Sequence, residues 1–564
     1  MKKNQFKLIA LFALTMFVLH SCDEQAILKE TPLDFYSPEN SYTKPEHFDL
    51  AASYIYNICR NTFYNNDSKN GYSLMAGTDY MRDGRNDGSF SIGDYRLFVP
   101  TSSQALYWWQ HLYEIISCSN IIIDRIQPVE YPTEKEKKAV IAEAVFFRGF
   151  CYRGLANIYG GVPLTVHEVK TVKLDFVRAT RTETYQQSAN DLKFAAENLP
   201  EKKDVKNIGR VNRTAAYHFL AEVYLSLGKN DSAIWAANKV LQDPNFSIMT
   251  QRFGTRVSPT SGSGYSTSAG NSYWDLFQMK NQNSPENKEA IWVVQIEPDD
   301  GRLGTGNYKP ERIFGPVYYS MKDPKGVAGF IGPTTKNGGR GAAYLGPTDY
   351  FVNGLWTSDW DNDLRNLEPN MIRDYLYDNP ASTYFGKKVS ENPGYVYDTK
   401  YYFYPIMSKT SQRGDEPTFL YATPADQAIG LLNASASKTY HDWYYARVAE
   451  TYLIRAEAYL AKDMKPEAAN DINTVRARVN AKPVSSNDVT IDYILDERLR
   501  ELAYEEPRMM TLGRLGKIYD RVRLYNSGTE GTTVAPRNNL FPIPYNEIER
   551  NTGAVLEQNP GYTN

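Results

Sequence analysis

The sequence predicts a mostly α-helical protein, a tetratricopeptide-like scaffold of about four helix pairs interrupted by a loop-rich, partly β insertion. Three observations carry that reading. The first is the stretch Ala142–Leu164, AEAVFFRGFCYRGLANIYGGVPL. Val145, Phe146, Gly149, Phe150, Tyr152, Ala156 and Tyr159 recur there at three- and four-residue steps, and apolar residues reach most of the way round, as in a helix packed on several sides. Gly149, Gly154 and Ala156 let neighbouring helices approach closely. Gly160-Gly161 followed by Pro163 ends the helix, because glycine tolerates a positive-φ cap and proline cannot continue the turn. The second observation is a repeat: AEVYLSLGKNDSA at 221–233 returns as AEAYLAKDMKPEA at 456–468, and Ala156-Asn157-Ile158-Tyr159 repeats the first half. A small residue where two helices cross, an aromatic ring in the adjoining groove and a second small residue on the facing helix are what a stacked helical repeat requires. The third is a change of character between the two copies. From about 244 to 443, Gly, Pro, Ser, Asn and Tyr become frequent, helical periodicity fades, and only short runs such as Ala290–Ile296 look like strands. A structureless insertion of that length is implausible in a compact protein, so this part must fold against the helical part.

Taken in order, the chain begins with Lys2, Lys3 and Lys7 ahead of an apolar run, Leu8–Leu19, that is too short to span a bilayer. Residues 1–21 therefore read as a secretory signal peptide. Residues 22–44, polar and carrying Pro32 and Pro38, read as a tether. One fold is expected over 45–564, with the helical scaffold at about 45–243 and 444–564 and the loop-rich lobe at about 244–443. Its first helix is expected at about 45–61, followed by surface loops at 65–103, which are rich in Asn, Asp, Gly and Ser. Helical periodicity returns at Gln104–Ile126, where Leu106, Trp109, Leu112, Tyr113, Ile116, Asn120 and Ile123 share a face. The expected pairs lie near 104–159, 183–226, 229–243 with 444–462, and 465–506.

Composition narrows the function classes. A net charge of −3 gives no basic footprint, which argues against a nucleic-acid partner. The 43 tyrosines and 8 tryptophans suit core packing and ligand stacking alike. Cys22, Cys59, Cys118 and Cys151 are too few for a disulfide framework in a chain of this length. The sequence contains no nucleophile-elbow, zinc-protease, phosphate-loop or Cys-x-x-Cys motif, its six histidines show no ligand spacing, and nothing in it calls for a cofactor. Glu497, Glu501 and Glu505 recur at helical spacing with Arg498 and Arg508, a pattern of ion pairs between packed segments rather than of acid–base catalysis. Asp83-Gly84-Arg85-Asn86-Asp87-Gly88, with Asp94 further on, half-matches a calcium loop. Arg85 stands where a ligand should be and Asp94 replaces the bidentate glutamate, so no metal is assigned.

Longer matches point to a family. FFRGFCYRGLANIYGGVPL resembles the central signature helix and YG-x-VPL turn of the SusD/RagB family. Trp109, Tyr113, Ile116 and Asn120 resemble its W-x-x-x-Y-x-x-I-x-x-x-N helix, Glu289 to Trp292 its E-x-I-[FW] strand, and Asp363-Leu364-Arg365 its D-x-R. Towards the C-terminus, Glu457, Asp471, Asn473, Arg476 and Arg478 resemble one pair of family helices, and Glu497, Arg498, Glu501, Leu502, Glu505 and Arg508 the next. Pro542-Ile543-Pro544 and Gln558-Asn559-Pro560-Gly561-Tyr562 match its closing motifs, while Pro507 departs from the usual small residue. Leu19-His20-Ser21-Cys22 resembles a bacterial lipobox, with Cys22 lipidated, and Asp23-Glu24 resembles an acidic surface-export tag. The resemblance implies an outer-membrane lipoprotein facing the cell exterior. It would capture oligosaccharides or polysaccharides and deliver them to a SusC-like TonB-dependent transporter in glycan uptake, without catalysis. A peptide-binding member of the family and a surface glycoside hydrolase are the alternatives. A sugar site needs aromatic platforms beside polar side chains. Tyr80, Arg82, Asp83 and Tyr95 before the Trp109 helix, with Tyr308, Tyr318 and Tyr344 in the lobe, are the candidate ligand-binding residues, and the resemblance points to where those two regions meet. Trp292 and Trp356 lie in apolar runs and read as core.

Overall fold

The computed structural model describes residues 41–64, 69–85, 90–258, 270–296, 308–391, 401–414 and 416–563. The expected signal peptide, Cys22 and all but the end of the tether lie outside the described residues, as does Asn86–Gly88 of the half-matched calcium loop.

The first half is a run of antiparallel helices: α1 (Pro45–Tyr64), α2 (Ser103–Arg125), α3 (Glu134–Tyr159), α4 (Arg181–Asn198), α5 (Arg213–Ser226) and α6 (Asn230–Leu241), each packed on the next in the order α2 to α6, with α1 on α2 and α3. Their starts are written in the sequence. Thr133 accepts from the Glu136 amide, Asn212 accepts from the Ala215 amide, and Thr180 with Glu183 forms a reciprocal capping box. The signature helix behaves as its composition demands, since every residue from Ala144 to Tyr159 is buried. At Gly149 an added Cβ would lie 2.9 Å from Asp191 of α4, so the crossing is closed to any larger residue. Gly160 ends α3 with a φ of 79°.

Between α6 and the second half, the described residues form only short elements. β1 (Met81–Asp83), from the loops ahead of α2, pairs antiparallel with β3 (Leu345–Pro347). β2 (Ala290–Val294) pairs with β6 (Trp443–Arg447), and β4 (Met371–Ile372) with β5 (Ile406–Met407). The strand expected at Ala290 is present, and residues 443–447, expected in part as the start of a helix, are its partner. Trp443, Tyr444 and Tyr445 suit a pleated surface, and pairing across the chain overrides the helical pattern that begins only at α7 (Val448–Leu460). Trp292 and Trp356 are both buried, as read from their apolar surroundings. The chain closes with α8 (Lys465–Ala477), α9 (Ile491–Leu502), α10 (Arg508–Arg514), α11 (Ile518–Tyr525) and the short α12 (Thr529–Thr533) and α13 (Tyr545–Arg550). α7 packs on α5 and α6 on one side and on α8 and α9 on the other, which joins the two halves of the scaffold. Among the described residues no helix is long and apolar enough to cross a membrane.

A buried ionic layer lies where α9 meets the short strands and turns. Glu497, Glu501 and Glu505 take Arg365, Arg447, Arg476, Arg478, Arg500 and Lys409 as partners. Glu289, Asp359 and Asp363 supply the other carboxylates. The catalytic-looking carboxylates of the sequence are thus structural ion-pair partners.

Ala221 and Ala456, the small residues of the two repeat copies, are fully buried, on α5 and α7, which pack on each other. Ala221→Leu and Ala456→Leu should each overpack their contacts and destabilise the protein by about 1–3 kcal/mol, measured as a lower denaturation midpoint in urea. Unchanged midpoints in both variants would contradict the assignment of these residues to close helix packing.

Candidate functional site

β1 and β3 bring together the two regions the sequence offers for ligand contact. Their register pairs Met81 with Pro347, Arg82 with Gly346 and Asp83 with Leu345. The ladder then extends by one bond, from the Gly84 amide to the Tyr344 carbonyl (3.0 Å). Gly84 is required at that point, because an added Cβ would lie 2.4 Å from the Ala343 carbonyl oxygen. Arg82 donates through Nε to the Pro347 carbonyl (3.1 Å), and the Asp83 carboxylate accepts from the Arg85 amide (3.1 Å). The Arg85 guanidinium lies 4.5 Å, and that of Arg312 5.7 Å, from the centroid of the Tyr344 ring. Arg82, Asp83, Arg85, Arg312 and Tyr344 are all half-buried, presenting part of each side chain to solvent.

β1 is held firmly from behind. The Asn526 side-chain amide donates to the carbonyls of Thr78 (2.8 Å) and Met81 (3.3 Å), and the Asp83 amide donates to Glu530 Oε1 (2.6 Å). Asp79, two residues before β1, is fully buried between Arg508 and Arg521. Burial alone would raise its pKa, yet the two guanidiniums hold it below the ordinary carboxylate range. Two carboxyls near this site are shifted the other way. Burial pushes Glu530 up to about 7 and Glu311, whose Oε1 accepts from the Arg340 amide (2.6 Å), up to about 8.

The structure corrects four of the candidate residues. Tyr80, Tyr95, Tyr308 and Tyr318 are each no more than 2 % exposed. Tyr80 packs edge-on against Phe351 and Tyr504, and Tyr95 donates to the Gly77 carbonyl (2.7 Å). Tyr308 lies among Tyr64, Tyr72 and Trp443, while Tyr318 stacks on Tyr375 (5.0 Å) and donates to the carbonyls of Thr334 and Gly339. These rings are core, and no ligand can stack on them in this conformation. Arg82, Asp83 and Tyr344 are each half-buried on the paired segments, with Arg82 and Asp83 on opposite faces of β1. The structure adds half-buried Tyr319, Tyr401 and Tyr402, which pack with one another's neighbours around Val317, Ala343 and Tyr404. Tyr319 is fixed by a hydrogen bond to the Gly341 carbonyl (2.9 Å). The arrangement offers aromatic faces and guanidiniums on backbone that is pinned on both sides. Asp94, the other end of the half-matched calcium loop, uses its carboxylate on Arg96 (2.6 Å).

With the geometry in hand, comparison with known proteins defines the class. Residues 233–562 match the model of the SusD family, and residues 50–225 match a related model described as starch-binding associating with outer membrane. The chain belongs to the SusD family. A SusD-like protein of Formosa agariphila is 24 % identical over 585 residues, spanning 98 % of this chain and 99 % of its own. Among solved structures, a SusD homologue of Bacteroides thetaiotaomicron superposes with a TM-score of 0.68 at 19 % identity over 94 % of this chain and 99 % of its own. Surface glycan-binding protein A of the same organism, solved in complex with laminarihexaose, gives a TM-score of 0.64 at 19 % identity over 92 % of this chain and all of its own. These structures share the helical fold.

The Glu530 shift has a measurable consequence. Between about pH 4.5 and 7 the folded protein holds a proton on Glu530 that the unfolded chain releases, so this group's contribution to stability is present below pH 4.5 and is lost as pH rises through 7. Glu530→Gln keeps the acceptor for the Asp83 amide but cannot titrate. Melting temperatures recorded from pH 4.5 to 7.5 should fall less steeply with rising pH in the variant than in the parent; parallel curves would show that Glu530 titrates normally.

Proposed function

We propose that this protein is a lipid-anchored, outward-facing glycan-binding protein of the outer membrane, which captures oligosaccharides at the Arg82–Asp83–Tyr344 surface and delivers them to a TonB-dependent transporter. The observation that carries the ligand reading is the β1–β3 ladder, which joins the half-buried Arg82 and Asp83 segment to that of half-buried Tyr344 on backbone held from both sides. A sugar presents apolar C–H faces between rings of hydroxyls. Aromatic faces at Tyr344, Tyr319, Tyr401 and Tyr402 suit the first, and Arg82, Asp83, Arg85 and Arg312 suit the second. Family membership and a neighbour of the same fold that was solved with laminarihexaose support a saccharide as the ligand. Cys22, in its lipobox-like setting, is the proposed anchor, and the acidic pair after it the proposed signal for surface exposure.

The test pairs binding with stability. On a glycan identified by array screening, Tyr344→Ala and Arg82→Ala should each weaken binding at least tenfold and shift the melting temperature little, because both side chains are only half-buried. Tyr80→Ala should instead cost about 3–5 kcal/mol of stability, as removal of a buried ring does. Full affinity in the Tyr344→Ala, Arg82→Ala double variant would place the ligand elsewhere.

A further inference from the structure

A second concavity, of about 270 Å³, lies between α1, the 207–210 turn and β2, and shares no residue with the β1–β3 site. Its α1 wall carries Ser53, Asn57 and Arg60, spaced four and three apart and therefore on one helical face. The opposite wall is Asn207 to Arg210 with Val293 to Gln295, and at its base Tyr445 stacks on Trp292 (3.9 Å between centroids, 15° between planes). The turn is fitted closely to the strand. Gly209 has a φ of 91°, an added Cβ would lie 2.6 Å from Gln295 Cγ, and its carbonyl accepts from the Trp292 indole (3.0 Å).

The two guanidiniums of this groove differ in one respect. Arg210 is neutralised, by Glu143 (3.1 Å) and Asp49 (2.8 Å). Arg60 is half-buried, and no described residue neutralises it. It donates through Nη2 to the Asn57 side-chain oxygen (2.6 Å), and among the described residues no carboxylate pairs with it. Burial lowers its pKa from the ordinary guanidinium value, the direction expected of a cation desolvated without a counter-ion. A planar guanidinium with donors unused on one side is the natural partner of a carboxylate, which it can bind through two parallel bonds. The other polar groups of the groove, Ser53, Asn57, Asn207 and Gln295, are neutral and suit hydroxyls, while Ile208, 70 % exposed, offers an apolar cover for a ring face.

We propose that this groove is a second ligand site, for the carboxylate-bearing ring of an acidic sugar, with Arg60 binding the carboxylate. The site stands apart from the capture surface described above and does not depend on it.

The probe is sodium glucuronate, titrated calorimetrically into the full-length protein at constant ionic strength, with glucose, sodium acetate and sodium sulfate as comparisons. Saturable glucuronate binding is expected, at least tenfold tighter than each of the three. Arg60→Gln should weaken it tenfold or more, and Arg60→Lys, which keeps the charge but loses the fork, should also weaken it. Hydrogen exchange with glucuronate bound should show protection at 53–60 and 205–210. The proposal is overturned if glucuronate does not saturate, if glucose, acetate or sulfate binds equally well, if both Arg60 variants bind like the parent, or if protection falls at 81–85 and 341–346 instead. Should Arg60→Gln melt lower than the parent, the Arg60→Lys affinity and the exchange map decide the matter.

Discussion

The structure depends most on the buried ionic layer around Glu497, Glu501 and Glu505. Removing charged groups from water costs several kcal/mol per ion, and that cost is offset only when every charge is paired and hydrogen-bonded. Here six basic and six acidic side chains meet that condition together. Arg365 bridges Asp363, Glu497 and Glu501, and Arg447 bridges Glu289, Glu501 and Glu505. Against the opposing pull of burial, Arg365, Arg476 and Arg500 hold Glu497 down at about 2, and Arg478, Arg447 and Arg365 hold Glu501 well below the usual carboxylate range. Lys409 is the exception in sense. Burial outweighs its bond to Glu505 and brings it down to about 8. The members come from opposite sides of a boundary: Glu289, Asp359, Asp363, Arg365 and Lys409 from the loop-rich part, Arg476, Arg478, Glu497, Arg500, Glu501 and Glu505 from the closing helices and the turns after α8 and α9, and Arg447 from the end of β6 between them. An apolar contact would tolerate sliding, whereas this one has a single arrangement in which all charges are paired.

The same logic extends toward the candidate site. Beyond α9, Arg498 pairs with Glu506 and Glu450, and Arg508 and Arg521 both close on Asp79, which leads into β1. Asn526 and Glu530 then fix β1 itself, and β3 closes it from the other side. Arg82 and Asp83 are therefore placed by a second set of paired charges and hydrogen bonds, which adjoins the ionic layer along α9. Short strands with few residues each would be poor anchors alone; here their position is set by what lies beneath them.

Helices were legible in the sequence because periodicity, caps and breakers are local. Residues 142–159 with their Gly160 stop and the repeat copies at 221 and 456 read directly onto elements. β6 was not legible as a strand, since its pairing with β2 joins segments about 150 residues apart and runs straight into a helix. The site was half legible. Arg82, Asp83 and Tyr344 could be named because their segments combine aromatic and polar residues, but the same signal named Tyr80, Tyr95, Tyr308 and Tyr318, whose burial is decided by distant partners such as Phe351, Trp443 and Tyr375. Tyr401 and Tyr402 carry no period and lie near no motif, so nothing local marked them. Arg60 looked like one polar residue on an amphipathic helix; that no carboxylate among the described residues pairs with it is a tertiary fact.

The most direct test of the account is hydrogen exchange on Glu501→Ala, which leaves Arg365, Arg447 and Arg478 short of a partner. The account predicts a loss of about 3–5 kcal/mol, as breaking a buried ion pair from one side entails. Protection should be lost first in β2, β4, β5 and β6, before the α3 helix. Exchange that accelerates uniformly across the chain, or stability equal to that of the parent, would contradict the claim that the ionic layer seats the loop-rich part on the helical scaffold.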